Sequence, residues 1–374
     1  MSDKFIPPTQ IDWFITQMKI KGGVERLVFN LLPILNEQGW KIRLITLTRD
    51  QDYSIQLKEQ GIEVVSLDAH AKWDIKALAK LFHLWKTSPP VILHTHLYHA
   101  GIVGRWVGHL CGIPIILCHQ AGPELDRSRF RSYLDSLSNG LVNLYLVSCQ
   151  AVANILHQRE GIPYSKISLI PNGIPIPPQP KQYLHQAHDT PLKLITIGRL
   201  TPEKNQRILL SVVTDLIQAG IPFHLDILGE GKERINLEKL SKKLGIADHI
   251  SFQGYQTNPA EWLNNADIFI LPSKWEGVSL ALLEAMAMAL PVIATNRGGT
   301  IEVIQPEQTG ILVSPDNPQE IIQAVQRLYL NPQYRQTLGN NARKFIEENY
   351  SIQSTLQKLE ELYQAQLSKL SWKK

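Results

Sequence analysis

The chain has 374 residues, 44% hydrophobic and 19% charged, and its 38 basic against 34 acidic side chains leave a net charge of +4. That length suggests two domains, each able to bury its own core, and the composition excludes a disordered or collagen-like chain. The charge excess is too small to imply nucleic acid as a partner, and Cys111, Cys118 and Cys149, odd in number and without CxxC spacing, fit neither a disulfide framework nor a zinc site.

Residues 1–20 carry no apolar run of the kind that marks an export signal, and no later stretch is apolar over the span a membrane helix needs. The expectation is a cytoplasmic chain. Short apolar, β-branched runs recur at Ile11–Thr16, Ile42–Leu47, Glu63–Leu67, Val91–Thr95, Ile113–Cys118 and Leu144–Val147, with helix-period segments between them. Such alternation describes a parallel sheet covered by helices on both faces. The pattern restarts at Leu192–Gly198 and runs through His224–Leu228, Ile250–Phe252, Ile268–Leu271, Val292–Thr295 and Ile311–Val313. The fold class is therefore α/β, with two doubly wound, Rossmann-like domains facing a shared cleft, where ligands of such sheets bind.

Between the two sets lies Pro171-Asn-Gly-Ile-Pro-Ile-Pro-Pro-Gln-Pro180, which cannot supply regular ladder or helix hydrogen bonds. It sets the boundary, giving domains at 1–178 and 179–350. After a helix through Ala342–Asn349, a long amphipathic helix spans Ser351–Leu370 within a terminal segment 351–374. It either packs on its own domain or crosses back to the first, and periodicity does not choose.

The most informative stretch is Leu271-Pro-Ser-Lys-Trp-Glu-Gly-Val-Ser-Leu280, which continues through Glu284 to Ala294. It reads as a strand end, a turn, a helix opening near Val278 or Ser279, and a further strand. The free backbone N–H groups of Gly277, Val278, Ser279 and Leu280 suit a phosphate. Eight residues of helix rise about 12 Å, whereas the carboxylates of a retaining glycosidase lie about 5 Å apart, so Glu276 and Glu284 do not flank one bond. Their spacing suits a long ligand read at both ends. The plainer alternative makes Glu276 a solvated loop charge and Glu284 an exposed helix residue; against it, Glu284 is the sole charge in the apolar run Leu280–Leu290, where an unpaired carboxylate is costly. A second motif, Ile197-Gly-Arg-Leu-Thr-Pro-Glu-Lys-Asn-Gln206, sets Arg199 after a strand end and Lys204 at the opening of the next helix, so both cations can converge on an anion.

Taken together, Gly198-Arg-Leu…Glu-Lys-Asn205, Leu228-Gly-Glu-Gly231, Glu276-x7-Glu284 with Glu284-Ala-Met-Ala287, and Pro291-Val-Ile-Ala294 resemble the GT-B glycosyltransferases, specifically the retaining family 4 group that uses nucleotide sugars. The resemblance is dense from Leu192 to Val325 and loose in the first domain. It implies a nucleoside diphosphate sugar donor of the UDP or GDP type, with Arg199 and Lys204 on the diphosphate, Glu276 on the donor sugar, Glu284 on the ribose, and the loop at Gly254 and Tyr255 near the base. It also implies a sugar or lipid-linked acceptor, cell-surface polysaccharide or glycolipid synthesis, no metal and no other cofactor. One departure is visible: Ala289-Leu290 stands where the family places Gly, at a helix C-cap, which bears on stability rather than chemistry.

In the first domain, Lys21-Gly-Gly-Val-Glu25 follows a strand and precedes a helix. The resemblance carries Gly22 and Gly23 over to an acceptor and phosphate loop, a plain turn being the alternative. The run is not GxGxxG, which speaks against a dinucleotide. His119 ends a strand before Gln120-Ala-Gly-Pro123, and the resemblance sets it beside the transferred sugar, as a candidate catalytic residue with Glu276, Arg199 and Lys204. His94, His96 and His99 have a spacing that could suggest a metal, but no carboxylate cluster accompanies them, so they are read as lining the cleft at most. Lys72, Lys76, Lys80 and His83 share a helical face, which is either a plain solvated face or a peripheral contact with anionic lipid at the cytoplasmic side of a membrane. The competing functions are a sugar-nucleotide epimerase on the same architecture, a non-catalytic two-lobed binding protein and, more distantly, a nicotinamide dehydrogenase.

Overall fold

A computed structural model describes residues 9–20, 22–49, 52–71, 74–120, 122, 135–178 and 191–371. Lys21, Lys72, Ala121, Pro123, Gln179 and Pro180, all named above, lie outside the described residues. The chain divides into two compact units, one of residues 1–173 together with 352–374, the other Ile174–Ser351.

Unit 1 is a seven-stranded parallel sheet in the order β3-β2-β1-β4-β5-β6-β7. Its strands are β1 (Gln10–Ile15), β2 (Lys41–Thr46), β3 (Glu63–Ser66), β4 (Ile92–His96), β5 (Ile115–Gln120), β6 (Leu144–Val147) and β7 (Ile167–Leu169). Its helices are α1 (Gly23–Glu37), α2 (Asp52–Glu59), α3 (Ile75–Thr87), α4 (Tyr98–Cys111) and α5 (Gln150–Glu160). Alternation along each strand divides the core. Ile11, Trp13 and Ile15 of β1 face a cluster containing Leu27, Val28, Leu31 and Leu32 of α1, whereas Phe14, Leu93 and Ile116 face Ala77, Leu81 and Trp85 of α3. The last helix, counted α13 (Ile352–Ser371), belongs to unit 1 and brings Ile352, Leu356, Leu359, Leu362 and Tyr363 to the α1 side. Trp40 Nε1 donates to Glu360 Oε1 at 2.7 Å and Thr355 Oγ1 to the Pro171 carbonyl at 2.8 Å.

Unit 2 holds a six-stranded parallel sheet ordered β10-β9-β8-β11-β12-β13. Its strands are β8 (Leu192–Ile197), β9 (Phe223–Leu228), β10 (Ile250–Gly254), β11 (Ile268–Leu271), β12 (Val292–Thr295) and β13 (Ile311–Val313). The helices run α6 (Arg207–Gln218), α7 (Arg234–Lys243), α8 (Pro259–Asn264), α9 (Leu280–Ala287), α10 (Thr300–Val303), α11 (Pro318–Leu330) and α12 (Pro332–Asn349). Strand order reverses between β1 and β4 in one sheet and between β8 and β11 in the other, which opens a crevice at the carboxyl ends of those strands.

Several expected boundaries move, each for a local reason. The fifth strand starts at Ile115 instead of Ile113, after Pro114, which has no N–H for a ladder. The penultimate helix starts at Pro332, well before Ala342, because Gly339 does not break it but meets a neighbour. A Cβ on Gly339 would lie 1.9 Å from the Ala289 carbonyl oxygen. The division between units falls after Gly173 and not in the 178–179 region, because unit 2 holds the proline segment from Ile174 onward. The Ile174 amide donates to the Tyr350 carbonyl at 3.0 Å, and Arg343 Nη2 donates to the Pro177 carbonyl at 3.0 Å.

Candidate active site

In unit 2 the loops that leave β8, β9 and β10 are laced together by main-chain hydrogen bonds. The Gly198 amide donates to the Leu228 carbonyl at 3.0 Å, Leu200 to Glu230 at 2.9 Å, and Gly229 to Gly254 at 2.7 Å. A Cβ on Gly229 would fall 1.9 Å from the Gly198 oxygen, and one on Gly231 2.2 Å from the Leu200 oxygen. Glycine at both positions is therefore a requirement of loop packing. Gly254 is buried with φ +70°, next to the Glu230–Arg234 ion pair, and Tyr255 follows it half-buried.

Glu276 lies between β11 and α9, and its buried carboxylate is the best-held group of the site. Oε1 accepts from Ser273 Oγ at 2.7 Å and also from the Lys204 ammonium, with which it forms an ion pair. Among the described residues Oε2 accepts no hydrogen bond, which leaves it for hydroxyl groups of a ligand. The backbone of Glu276 is fixed as well. Gly299 N donates to its carbonyl at 2.9 Å, and Gly298, at φ +58°, lies where a Cβ would be 2.0 Å from that same oxygen. Thr295 Oγ1 at the end of β12 donates to the Ser273 carbonyl, which completes the brace.

Lys204 does not open a helix as its spacing suggested. It sits in a turn with its amide on the Thr201 carbonyl at 3.0 Å; Asn205 follows at φ +56°, and α6 begins at Arg207. The two cations are also not equivalent. Arg199 is exposed and reaches Glu203 at 3.5 Å, so only Lys204 is drawn to Glu276. The α9 helix begins at Leu280, with Ser279 as its cap accepting from the Leu282 amide at 3.4 Å. Among the described residues no hydrogen bond uses the amides of Gly277, Ser279 or Leu280, so the helix start keeps donors for an anion. Val278 is buried beside them. Glu284 is half-buried in the second turn of α9, flanked by buried Leu283 and Ala285.

In unit 1 Gly22 caps α1 and Gly23 starts it. The buried Glu25 carboxylate lies across this N-terminus, since a Cβ on Gly22 would be 1.8 Å from its Oε2; Gln17 Nε2 donates to Oε1 at 3.2 Å. An acidic group thus stands where the sequence suggested a phosphate loop. His119 near the end of β5 is 6% exposed, and burial pushes its pKa down to about 4, so the ring is neutral at ordinary pH. His94 and His96 do not line a cleft: both are buried, and the third member of their cluster is His119, not His99. Parallel register explains this, because β4 places His96 directly opposite His119.

Two family profiles match the chain in tandem. The one described as Glycosyl transferases group 1 matches residues 182–345, and the one described as Glycosyltransferase Family 4 matches residues 21–176. The chain belongs to the group 1 glycosyl transferases. This glycosyltransferase is 24% identical, over 92% of its own length and 94% of the other chain, to the UDP-Gal:alpha-D-GlcNAc-diphosphoundecaprenol alpha-1,3-galactosyltransferase of Escherichia coli. Its fold is that of solved GT-B enzymes. The Anabaena protein Alr3699/HepE, in complex with UDP, superposes with a TM-score of 0.81 at 18% identity, covering 95% of this chain and 100% of that one. A glycosyltransferase from Rickettsia africae superposes with a TM-score of 0.81 at 20% identity, covering 96% and 99%.

The residues of this glycosyltransferase that sequence reasoning passed over are Ser273, Thr295, Gly298 and Gly299. The Gly298-Gly299 pair, separated by two residues from the end of β12, was a usable signal; Ser273 and Thr295 carried none, because their role is to hold Glu276.

Proposed function

We propose that the enzyme transfers a sugar from a nucleoside diphosphate sugar to an acceptor hydroxyl, with retention at the anomeric carbon, in the assembly of a polysaccharide or glycolipid. The observation that carries this is the braced Glu276 carboxylate, with one oxygen held by Ser273 and Lys204 and the other open, beside unused amides at the start of α9. An ammonium and backbone donors at a strand-order reversal suit a diphosphate, whose departure they stabilise as negative charge develops. Glu276 Oε2 would take the sugar hydroxyls, and Lys204 can turn from Oε1 to a phosphate when the donor arrives. Arg199, exposed at the surface, adds a second cation. Glu284 is assigned to the ribose and the Gly254–Tyr255 loop to the base. In unit 1 His119 is assigned to the transferred sugar as a neutral ring, able to exchange hydrogen bonds but carrying no charge.

The galactosyltransferase and HepE names favour UDP over GDP and a lipid-linked acceptor. No metal is assigned to the transfer. Thermal melting against UDP, GDP, ADP and their sugar conjugates tests the donor: at about 100 times its dissociation constant a true ligand adds about 2.7 kcal/mol. UDP is expected to shift the transition selectively. Glu276→Gln should leave UDP affinity within about twofold and reduce transfer at least a hundredfold, the scale of one lost transition-state contact. No shift with any nucleotide, or full turnover in that variant, overturns the reading.

A second element of the proposal concerns where the acceptor is met. No helix among the described residues is long and apolar enough to cross a membrane. On the outer side of α3 and α4, however, Ile75, Phe82, Trp106 and Leu110 are exposed, with Lys76, Lys80 and Lys86 on the same pair of helices. We assign this face to a peripheral contact with anionic lipid.

A further inference from the structure

The α1-side face of the unit 1 sheet buries three histidines that the proposed transfer does not account for. Register sets Trp13 opposite His94 and His96 opposite His119, and the rings stack. His94 and His96 have centroids 4.4 Å apart at 32°, His96 and His119 5.0 Å at 25°, and His94 and His119 5.8 Å at 23°. Trp13 covers the first two, at 4.4 and 4.7 Å. Across this array only one ring nitrogen has a side-chain partner among the described residues, His94 Nδ1, which meets the hydroxyl of Tyr363 at 2.8 Å. His94 Nε2, both nitrogens of His96 and His119 Nε2 are buried without a partner.

A shared metal ion does not fit these rings. An ion held by three imidazoles lies in the plane of each, along its lone pair; rings within about a third of a right angle of parallel direct their lone pairs side by side. A charged stack does not fit either. Burial, with the nearness of the other rings, holds His94 and His96 well below the usual histidine range, so the cluster is neutral. In a neutral stack each ring has two tautomers and two flips, and these must be selected by something.

We propose that Tyr363, on α13, is a positioning residue for sugar transfer: its hydroxyl selects the tautomer and orientation of His94, and in this buried layer the ring dipole so fixed biases the stacked ring of His96 and, through it, that of His119. The proposal rests on the assignment of His119 to the transferred sugar. It gives the terminal helix a part in the reaction although Tyr363 itself is buried at 0% exposure and touches no substrate.

The test is Tyr363→Phe, which removes one oxygen and keeps the ring that packs on Trp40 at 5.5 Å. The expected result is at least a tenfold lower kcat, with KM for the donor and UDP affinity within twofold of wild type. Histidine ¹⁵N spectra should report one tautomer for His94 and His119 in the wild-type enzyme and mixtures in the variant. The wild-type spectrum stands by itself if the variant does not fold: mixed tautomers there overturn the proposal. Unchanged kcat and an unchanged His119 spectrum in a folded variant overturn it too, as does a stoichiometric metal found by mass spectrometry on the purified chain. His119→Ala separates the two levels. Wild-type turnover in it removes His119 from the reaction and both readings with it; loss of turnover there, with Tyr363→Phe unaffected, removes only this one.

Discussion

Ala289 occupies a backbone conformation, φ +56°, that glycine adopts freely and alanine does not. It follows α9 in a paired arrangement: the Ala289 amide donates to the Met286 carbonyl at 3.0 Å and the Leu290 amide to the Ala285 carbonyl at 3.1 Å, the two bonds of a Schellman termination. A left-handed L-residue costs about 1–2 kcal/mol, offset in part by the smaller unfolded-state entropy of alanine. Ala289→Gly should therefore stabilise unit 2 by about 0.5–1 kcal/mol, raising its melting temperature by about 1–4 °C with transfer unaffected. A lower melting temperature would show that the alanine methyl packs usefully. The departure from glycine at this cap was legible in the sequence because a helix end is a local pattern. The brace on Glu276 was not: Ser273 and Thr295 are ordinary polar residues until β11 and β12 lie side by side. Likewise Lys204 and Arg199 looked alike in sequence, and only the turn at Asn205 separates the cation that meets Glu276 from the one that meets Glu203.

At the scale of elements, strand periodicity located all but one strand, because two-faced burial makes each an apolar run. The missing one, β7, is three residues long at the sheet edge and only partly buried, so it has no such signature. Helices α3 and α4 present the opposite situation, with the apolar side chains of Ile75, Phe82, Trp106 and Leu110 left outside the core. Lys80 meets the Ser66 carbonyl at 2.5 Å and Asp68 at 3.9 Å, and Lys86 lies over the Phe82 ring at 5.5 Å and donates to the Leu110 carbonyl at 3.1 Å. Replacing Lys76 and Lys86 by Gln should weaken binding to vesicles rich in anionic lipid by about 2 kcal/mol, roughly thirtyfold, at about 1 kcal/mol per cation. Trp106→Ser should weaken it further. Sedimentation with vesicles measures both, and equal binding to neutral vesicles, or none to either kind, would remove the lipid contact.

For the molecule as a whole, the two-sheet architecture was legible from the repeated alternation, while the ownership of the last helix was not, since amphipathicity does not name a partner. The structure assigns α13 to unit 1, where Ile352, Leu356, Leu359, Leu362 and Tyr363 are buried. At about 2 kcal/mol per side chain their burial contributes on the order of 10 kcal/mol, an upper figure, which is comparable to the whole stability of a domain. Deleting residues 352–374 should therefore abolish cooperative melting of unit 1 while unit 2 still melts and binds UDP. Calorimetry on the truncated chain reads this, and an intact unit 1 transition would show that α13 is dispensable.

Because unit 2 is one continuous run of residues while unit 1 is split around it, the order of synthesis and the order of completion differ. The N-terminal sheet emerges from the ribosome first, yet its α1-side face, with Trp13 and Trp40, is covered only in part, by α1, until α13 emerges. The intervening unit can close as soon as it is made. A ribosome that stalls before residue 352 thus presents a finished second unit joined to an open first one, a nascent chain suited to chaperone capture.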